Sequence, residues 1–153
     1  MHRFGLALAM ASAVAIQTPP SSNFSGSWVF NPARSRNIGM MAELRDTVTI
    51  EQTASQITIT DHSTMDGQTS TREVRLDLGG KPTTNAGPMG DQNETVARWQ
   101  DGKLVVTWTA DGAVAGTRVV RTETRSLSAD GKTMTVESVR GNNPPIVMVF
   151  EKQ

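Results

Sequence analysis

No cysteine occurs in the 153 residues. That absence excludes disulfides, thiolate metal sites, a cysteine nucleophile and a lipid-modified cysteine anchor. Tyrosine is absent too, and the only histidines are His2 and His62. Catalytic triads and histidine-rich metal cages have almost nothing to build on. Neither charge is in excess: 15 Lys+Arg face 15 Asp+Glu. A balanced chain has no electrostatic pull toward nucleic acid or an anionic membrane. Motifs for phosphate or acyl chemistry are missing as well. Gly79-Gly80-Lys81-Pro82 lacks the spacing of a phosphate loop, and no Gly-x-Ser-x-Gly elbow or Ser-x-x-Lys pair is present.

The longest apolar run is short and lies at the start. Residues 4–16 (FGLALAMASAVAI) are apolar or small throughout and follow the basic start Met1-His2-Arg3. This run falls short of the ~18–20 residues that span a bilayer, and it suits a signal-peptide core. Ala13-Val14-Ala15 fits the small-x-small cleavage pattern, with Ala11-Ser12-Ala13 as second choice. The expectation is a signal peptide over 1–15, a polar tether over 16–23 and one domain over 24–153. Export to the periplasm or the exterior follows, with no stable membrane insertion after cleavage. A buried N-terminal helix is the alternative.

Strand formers dominate what is present, with 19 threonines and 14 valines. Only 37% of the residues are hydrophobic, too few to bury both faces of every strand. Alternating runs separated by turn residues fall at 24–31, 44–52, 56–63, 69–78, 93–100, 103–110, 113–127, 132–140 and 145–152. A short strand near 81–84 makes ten. Residues 33–44 are the one helix candidate, weakened by Gly39. The segment 85–93 reads as a loop near a rim. Such an antiparallel meander is predicted to close into an all-β barrel of eight to ten strands, since closure removes its edges. A two-sheet sandwich is the alternative.

Four Asp-Gly turns set the register, because residues directly opposed across a hairpin share a face. Asp101-Gly102 pairs Trp99 with Leu104, Ala97 with Val106 and Thr95 with Trp108. Asp66-Gly67 pairs Ile59 with Val74 and Ile57 with Leu76. Asp130-Gly131 pairs Leu127 with Met134. Read as a two-residue turn, Asp111-Gly112 pairs Trp108 with Ala115, Val106 with Thr117 and Leu104 with Val119. A turn at Thr53-Ala54 pairs Ile50 with Ile57 and Val48 with Ile59. One apolar face results: Val48, Ile50, Ile57, Ile59, Val74, Leu76, Trp99, Leu104, Val106 and Trp108 are expected to point inward.

Several motifs occur in order along the chain: Gly26-Ser27-Trp28, then Asn31-Pro32-Ala33-Arg34-Ser35, then the Trp99 to Leu104 hairpin, then the Ser126 to Thr133 hairpin. Together they resemble small exported bacterial lipocalin-like proteins of the calycin type, over residues 23–153. The resemblance implies an up-and-down barrel with a cavity open at one end. It also implies that an arginine packs flat over Trp28 and plugs the barrel base, as in lipocalins. Arg125 departs from it, standing where an aromatic residue is expected.

The same parity turns charges inward. Asp61 and Arg72 oppose each other, and Arg121, Glu123 and Arg125 alternate with the outward Val120, Thr122, Thr124 and Ser126. Arg140 opposes Arg121, while Glu123 opposes Ser138 and Arg125 opposes Val136. Guanidinium groups in a partly apolar cavity suit a carboxylate-like head. Barrels that bind fatty acids use interior arginines in this way, so the resemblance points in the same direction. The functional expectation is an exported protein that binds a small amphipathic or anionic ligand, with no cofactor, metal or catalytic residue. Trp99 and Trp108 are the candidates for the apolar body, and Arg72, Arg121, Glu123 and Arg125 for the head. Two alternatives stand beside it. One is a cofactor-free isomerase, cyclase or hydrolase for a small apolar substrate, and the other is an interaction module for an envelope protein. A bulge in the long strand would flip the faces of Arg121, Glu123 and Arg125.

Overall fold

A computed structural model describes residues 22–153. The expected signal peptide and nearly all of the tether lie outside the described residues. Ten strands form one antiparallel sheet: β1 Gly26–Phe30, β2 Arg45–Gln52, β3 Gln56–Met65, β4 Gln68–Asp77, β5 Thr83–Ala86, β6 Gln92–Gln100, β7 Lys103–Asp111, β8 Arg118–Leu127, β9 Thr133–Arg140 and β10 Ile146–Lys152. The order is β4-β3-β2-β1-β10-β9-β8-β7-β6-β5, so the first and last strands pair and only β4 and β5 have a free side. The sheet curls until those two meet, and the result is a nearly closed up-and-down barrel.

Three turns set register as the sequence predicts. Asp66 and Asp101 take positive φ of 51° and 50°, each followed by a glycine at 75°. That is the paired left-handed geometry a two-residue hairpin needs. The pairs Ile59–Val74, Trp99–Leu104 and Leu127–Met134 follow.

Two turns differ. The β2–β3 turn has three residues, closed by Thr53 N–H donating to the Gln56 carbonyl at 2.9 Å. Ile50 therefore opposes Ile59, and Val48 opposes Asp61. After β7 the chain makes a six-residue loop, with Gly112 N–H to Thr117 O at 2.8 Å and Gly116 at φ 79°. Thus β8 begins at Arg118, and Trp108 opposes Arg121, Val106 opposes Glu123 and Leu104 opposes Arg125. Both slips are even-numbered, so every side chain keeps its predicted face. The expected rim loop also differs: Asn85 sits in β5 and Asn93 in β6, facing each other across a tight turn. The helix candidate resolves into two 3-10 turns, Pro32–Arg34 and Gly39–Glu43.

Alternate connections place the barrel's two ends. The end holding the β2–β3, β4–β5, β6–β7 and β8–β9 connections is shut by residues 22–25. Ser22 Oγ donates to Gly102 O (2.7 Å), Phe24 N–H to Gln52 Oε1 (2.9 Å) and Gln52 Nε2 to Ser22 O (2.9 Å). Phe24 stacks on Trp99 with ring centres 6.1 Å apart, and Trp28 Nε1 donates to Phe24 O at 2.9 Å. The cation over Trp28 is Lys152, with Nζ 5.3 Å from the ring centre, where the resemblance implied an arginine. Nine of the ten predicted inward residues belong to the buried core, and Trp99 packs partly buried against it.

Candidate functional site

The inward charges of β2, β3, β4 and β8 meet inside the barrel. Arg72 grips Asp61 through Nε at 3.0 Å and Nη2 at 2.6 Å, both on Oδ2. Glu123 is 4% exposed and is shared by two arginines: Arg125 Nη2 reaches Oε1 at 2.7 Å and Arg121 Nη1 reaches Oε2 at 3.3 Å. The Arg121 guanidinium also lies 4.7 Å from the centre of the Trp108 ring, within cation–π range. Burial holds Arg121 below its usual proton affinity; Glu123 opposes that shift, and the charges of Arg72 and Arg125 add to it. Three guanidiniums thus lie within mutual electrostatic reach.

A third acid joins them. Asp46 stands on the inward parity of β2 with Val48 and Ile50, a placement the sequence pattern contained and the inward set above omits. Its carboxyl is pushed up to about 6, first by burial and then by Asp61, against the pull of Arg72 and Arg125. Four polar atoms in this region are buried without a hydrogen-bond partner: Asp46 Oδ1, Arg72 Nη1, Arg125 Nε and Trp108 Nε1. Orphaned buried polar groups are rare in folded proteins, and each calls for a partner such as a water, an ion or a ligand.

Access comes from the other end of the barrel. A cleft of about 260 Å³ opens there, lined by Met89, Asp91, Trp108, Val119, Arg121 and Arg140. Arg140 is exposed at the end of β9 and opposes Arg121. A separate groove of about 320 Å³, on the outer face around Arg98, Lys103 and Val105, has no link to the interior charges.

The sequence-predicted residues therefore divide. Arg72, Arg121, Glu123 and Arg125 come together, with Trp108 beside them. Trp99 does not join: it is stacked on Phe24 at the closed end, four positions from Trp108 by register, roughly 13 Å along a strand.

The barrel's two free strands meet through a side chain. Asn85 Oδ1 accepts from Arg75 N–H at 2.8 Å, and its Nδ2 donates to Arg75 O at 2.9 Å and to Thr95 Oγ1 at 2.6 Å. Thr83 Oγ1 adds a bond to Arg75 O at 2.9 Å.

No protein-family profile matches the sequence, and comparison with curated protein sequences gives no match. Solved structures do match in fold. Human cRBP IV superposes with TM-score 0.65 at 16% identity, covering 86% of this chain and 99% of that one. Apo lipid binding protein 8 of Caenorhabditis elegans gives 0.66 at 13% identity, covering 85% and 95%. A fatty acid binding protein of Schistosoma mansoni in complex with arachidonic acid gives 0.65 at 16% identity, covering 85% and 96%. The chain has the lipocalin-like calycin fold.

Proposed function

We propose that this calycin-type barrel binds a small amphipathic anion. The head lies among the guanidiniums of Arg121, Arg125 and Arg72, and the apolar body rests in the end cleft against Trp108. The carrying observation is the convergence of three arginines, with unpartnered N–H groups on Arg72, Arg125 and Trp108, behind an open cleft. A carboxylate or similar head meets those donors with charge-assisted bonds, about twice as strong as neutral ones. The binding proteins that share the fold support the reading. The signal-like segment at residues 1–15 adds the proposal that binding takes place in the periplasm or outside the cell. Native mass spectrometry of protein purified from its own host is expected to show a bound acid. Arg121→Gln and Arg125→Gln each weaken affinity about tenfold to a hundredfold, as expected for a charged bond of about 1.5–3 kcal/mol. Unchanged affinity in both variants contradicts the reading.

One observation favours a second reading, a cofactor-free enzyme acting by proton transfer. Asp46, pushed up to about 6 by burial and by the nearby Asp61, lies close to the Asp61–Arg72 salt bridge. A buried carboxyl that holds its proton close to neutral pH is suited to general acid–base work. Turnover of a small substrate, abolished by Asp46→Asn, is the result that would establish it.

A further inference from the structure

The inner charges can balance without a ligand. Arg72, Arg121 and Arg125 bring three guanidiniums, and Asp61, Glu123 and Asp46 bring three carboxyl groups. Asp91 and Arg140, of opposite sign, are both exposed at the open end. Arg72 and Arg125 act on Asp46 as well as on Arg121, so a head group held by these arginines lies within electrostatic reach of Asp46. Such a head is a fourth acid among three arginines. Excess charge of one sign is costly where water is largely excluded, and the usual relief is for one acid to take up a proton.

The three acids are held differently. Arg72 grips Asp61 at 3.0 and 2.6 Å, and Glu123 holds Arg125 at 2.7 Å and Arg121 at 3.3 Å. Asp46 has no ion pair among the described residues, and its Oδ1 is buried without a hydrogen-bond partner. Around it stand Ser63, directly opposite on β3, and Asp61, two residues earlier on the same strand. Strand β1 brings Phe30, next after the Val29–Thr47 pair. Arg72 from β4 and Arg125 from β8 complete the surroundings, and both are bonded to other acids. Asp46 is thus the acid that gives up its charge most readily, and its raised value of about 6 agrees.

We propose that the site takes up its anion together with one proton from solvent, that Asp46 accepts this proton, and that the ligand class is therefore acids carrying a single negative charge. This rests on the anion-binding reading above and adds the charge of its ligand.

The test is a titration with phenylacetate from pH 5.5 to 8, a range in which a simple carboxylate stays ionised. Wild-type affinity is expected to fall above pH 6, by at most about tenfold per pH unit, the limit for one linked proton. Calorimetry at pH 7 in two buffers of different ionisation heat is expected to show proton uptake on binding. Asp46→Asn is expected to bind about tenfold tighter than wild type at pH 8 and to lose the pH dependence. His62→Gln, changed on the outer face where the imidazole meets Thr71 at 3.1 Å, is expected to keep it. Wild-type affinity that is flat with pH, with no proton uptake, overturns the coupling and leaves the anion site standing. A pH dependence that survives in Asp46→Asn overturns the assignment to Asp46. No binding of phenylacetate at any pH in the range overturns the anion site and the coupling together.

Discussion

Asn85 joins the two free strands by presenting its amide to the backbone of Arg75, 2.8 Å from the N–H and 2.9 Å from the carbonyl. A side chain here does what a ladder of backbone bonds does between every other pair of neighbouring strands. Aspartate at this position keeps the acceptor but loses the donor, while alanine loses both. Asn85→Ala is expected to lower stability by about 1–3 kcal/mol, since it strands buried polar groups. Hydrogen exchange should accelerate at the Arg75 amide ahead of the core strands. Denaturant melts and exchange mass spectrometry check both; an Arg75 amide that stays protected would mean the seam closes by other contacts.

Asp46 predicts an unusual response to pH. Its folded value is raised from 3.8 to about 6, so the folded protein holds this proton more tightly than the unfolded chain. Stability from this group is present below about pH 4 and is lost as pH rises to about 6. Asp46→Asn is therefore expected to stabilise the protein at pH 8, by about 1–2 kcal/mol after allowing for partial burial, and to change little at pH 4. Thermal melts of both proteins at the two pH values check the sign. A variant less stable than wild type at pH 8 would contradict it.

Glu123 and Glu151 make a contrast. Glu123→Gln leaves Arg121 and Arg125 without their shared partner inside the barrel, and a loss of about 3–5 kcal/mol is expected. Arg34 and Glu151 meet at 3.0 Å with both side chains about half exposed. Arg34→Ala should leave the unfolding midpoint unchanged within error. Chemical denaturation of the two variants side by side is the check.

The fold was legible because side-chain parity survives register errors of an even number of residues, and both errors here were even. Asp66-Gly67 and Asp101-Gly102 carry the φ angles of tight hairpins. Asp111-Gly112 has the same letters without that geometry, because a six-residue loop absorbs the bend. The local cue that separates the two cases is Gly116, which takes a φ of 79° inside that loop. The slip was even, so Arg121, Glu123 and Arg125 still faced inward with Trp108. Asp46 was readable from its spacing to Val48 and Ile50, and Phe24 and Trp99 as a stopper were not. That stack depends on a chain crossing the barrel end, a contact between residues 75 positions apart in sequence. Asn85 could not be read either, since its role exists only once β4 and β5 meet.

The three tryptophans allow the most direct test of the anion site. Each gives one indole N–H signal in a nitrogen-edited NMR spectrum. Trp28 Nε1 is already bonded to Phe24 O at 2.9 Å, Trp99 lies in the closed end, and Trp108 Nε1 is buried beside Arg121 with no partner. On titration with a short aromatic carboxylate, the Trp108 signal is expected to shift in a saturable way while the Trp28 and Trp99 signals hold still. The matching neutral amide should move none of them. A Trp108 signal that stays fixed at saturating carboxylate, or that shifts equally with the amide, would contradict an anion site at this end of the barrel.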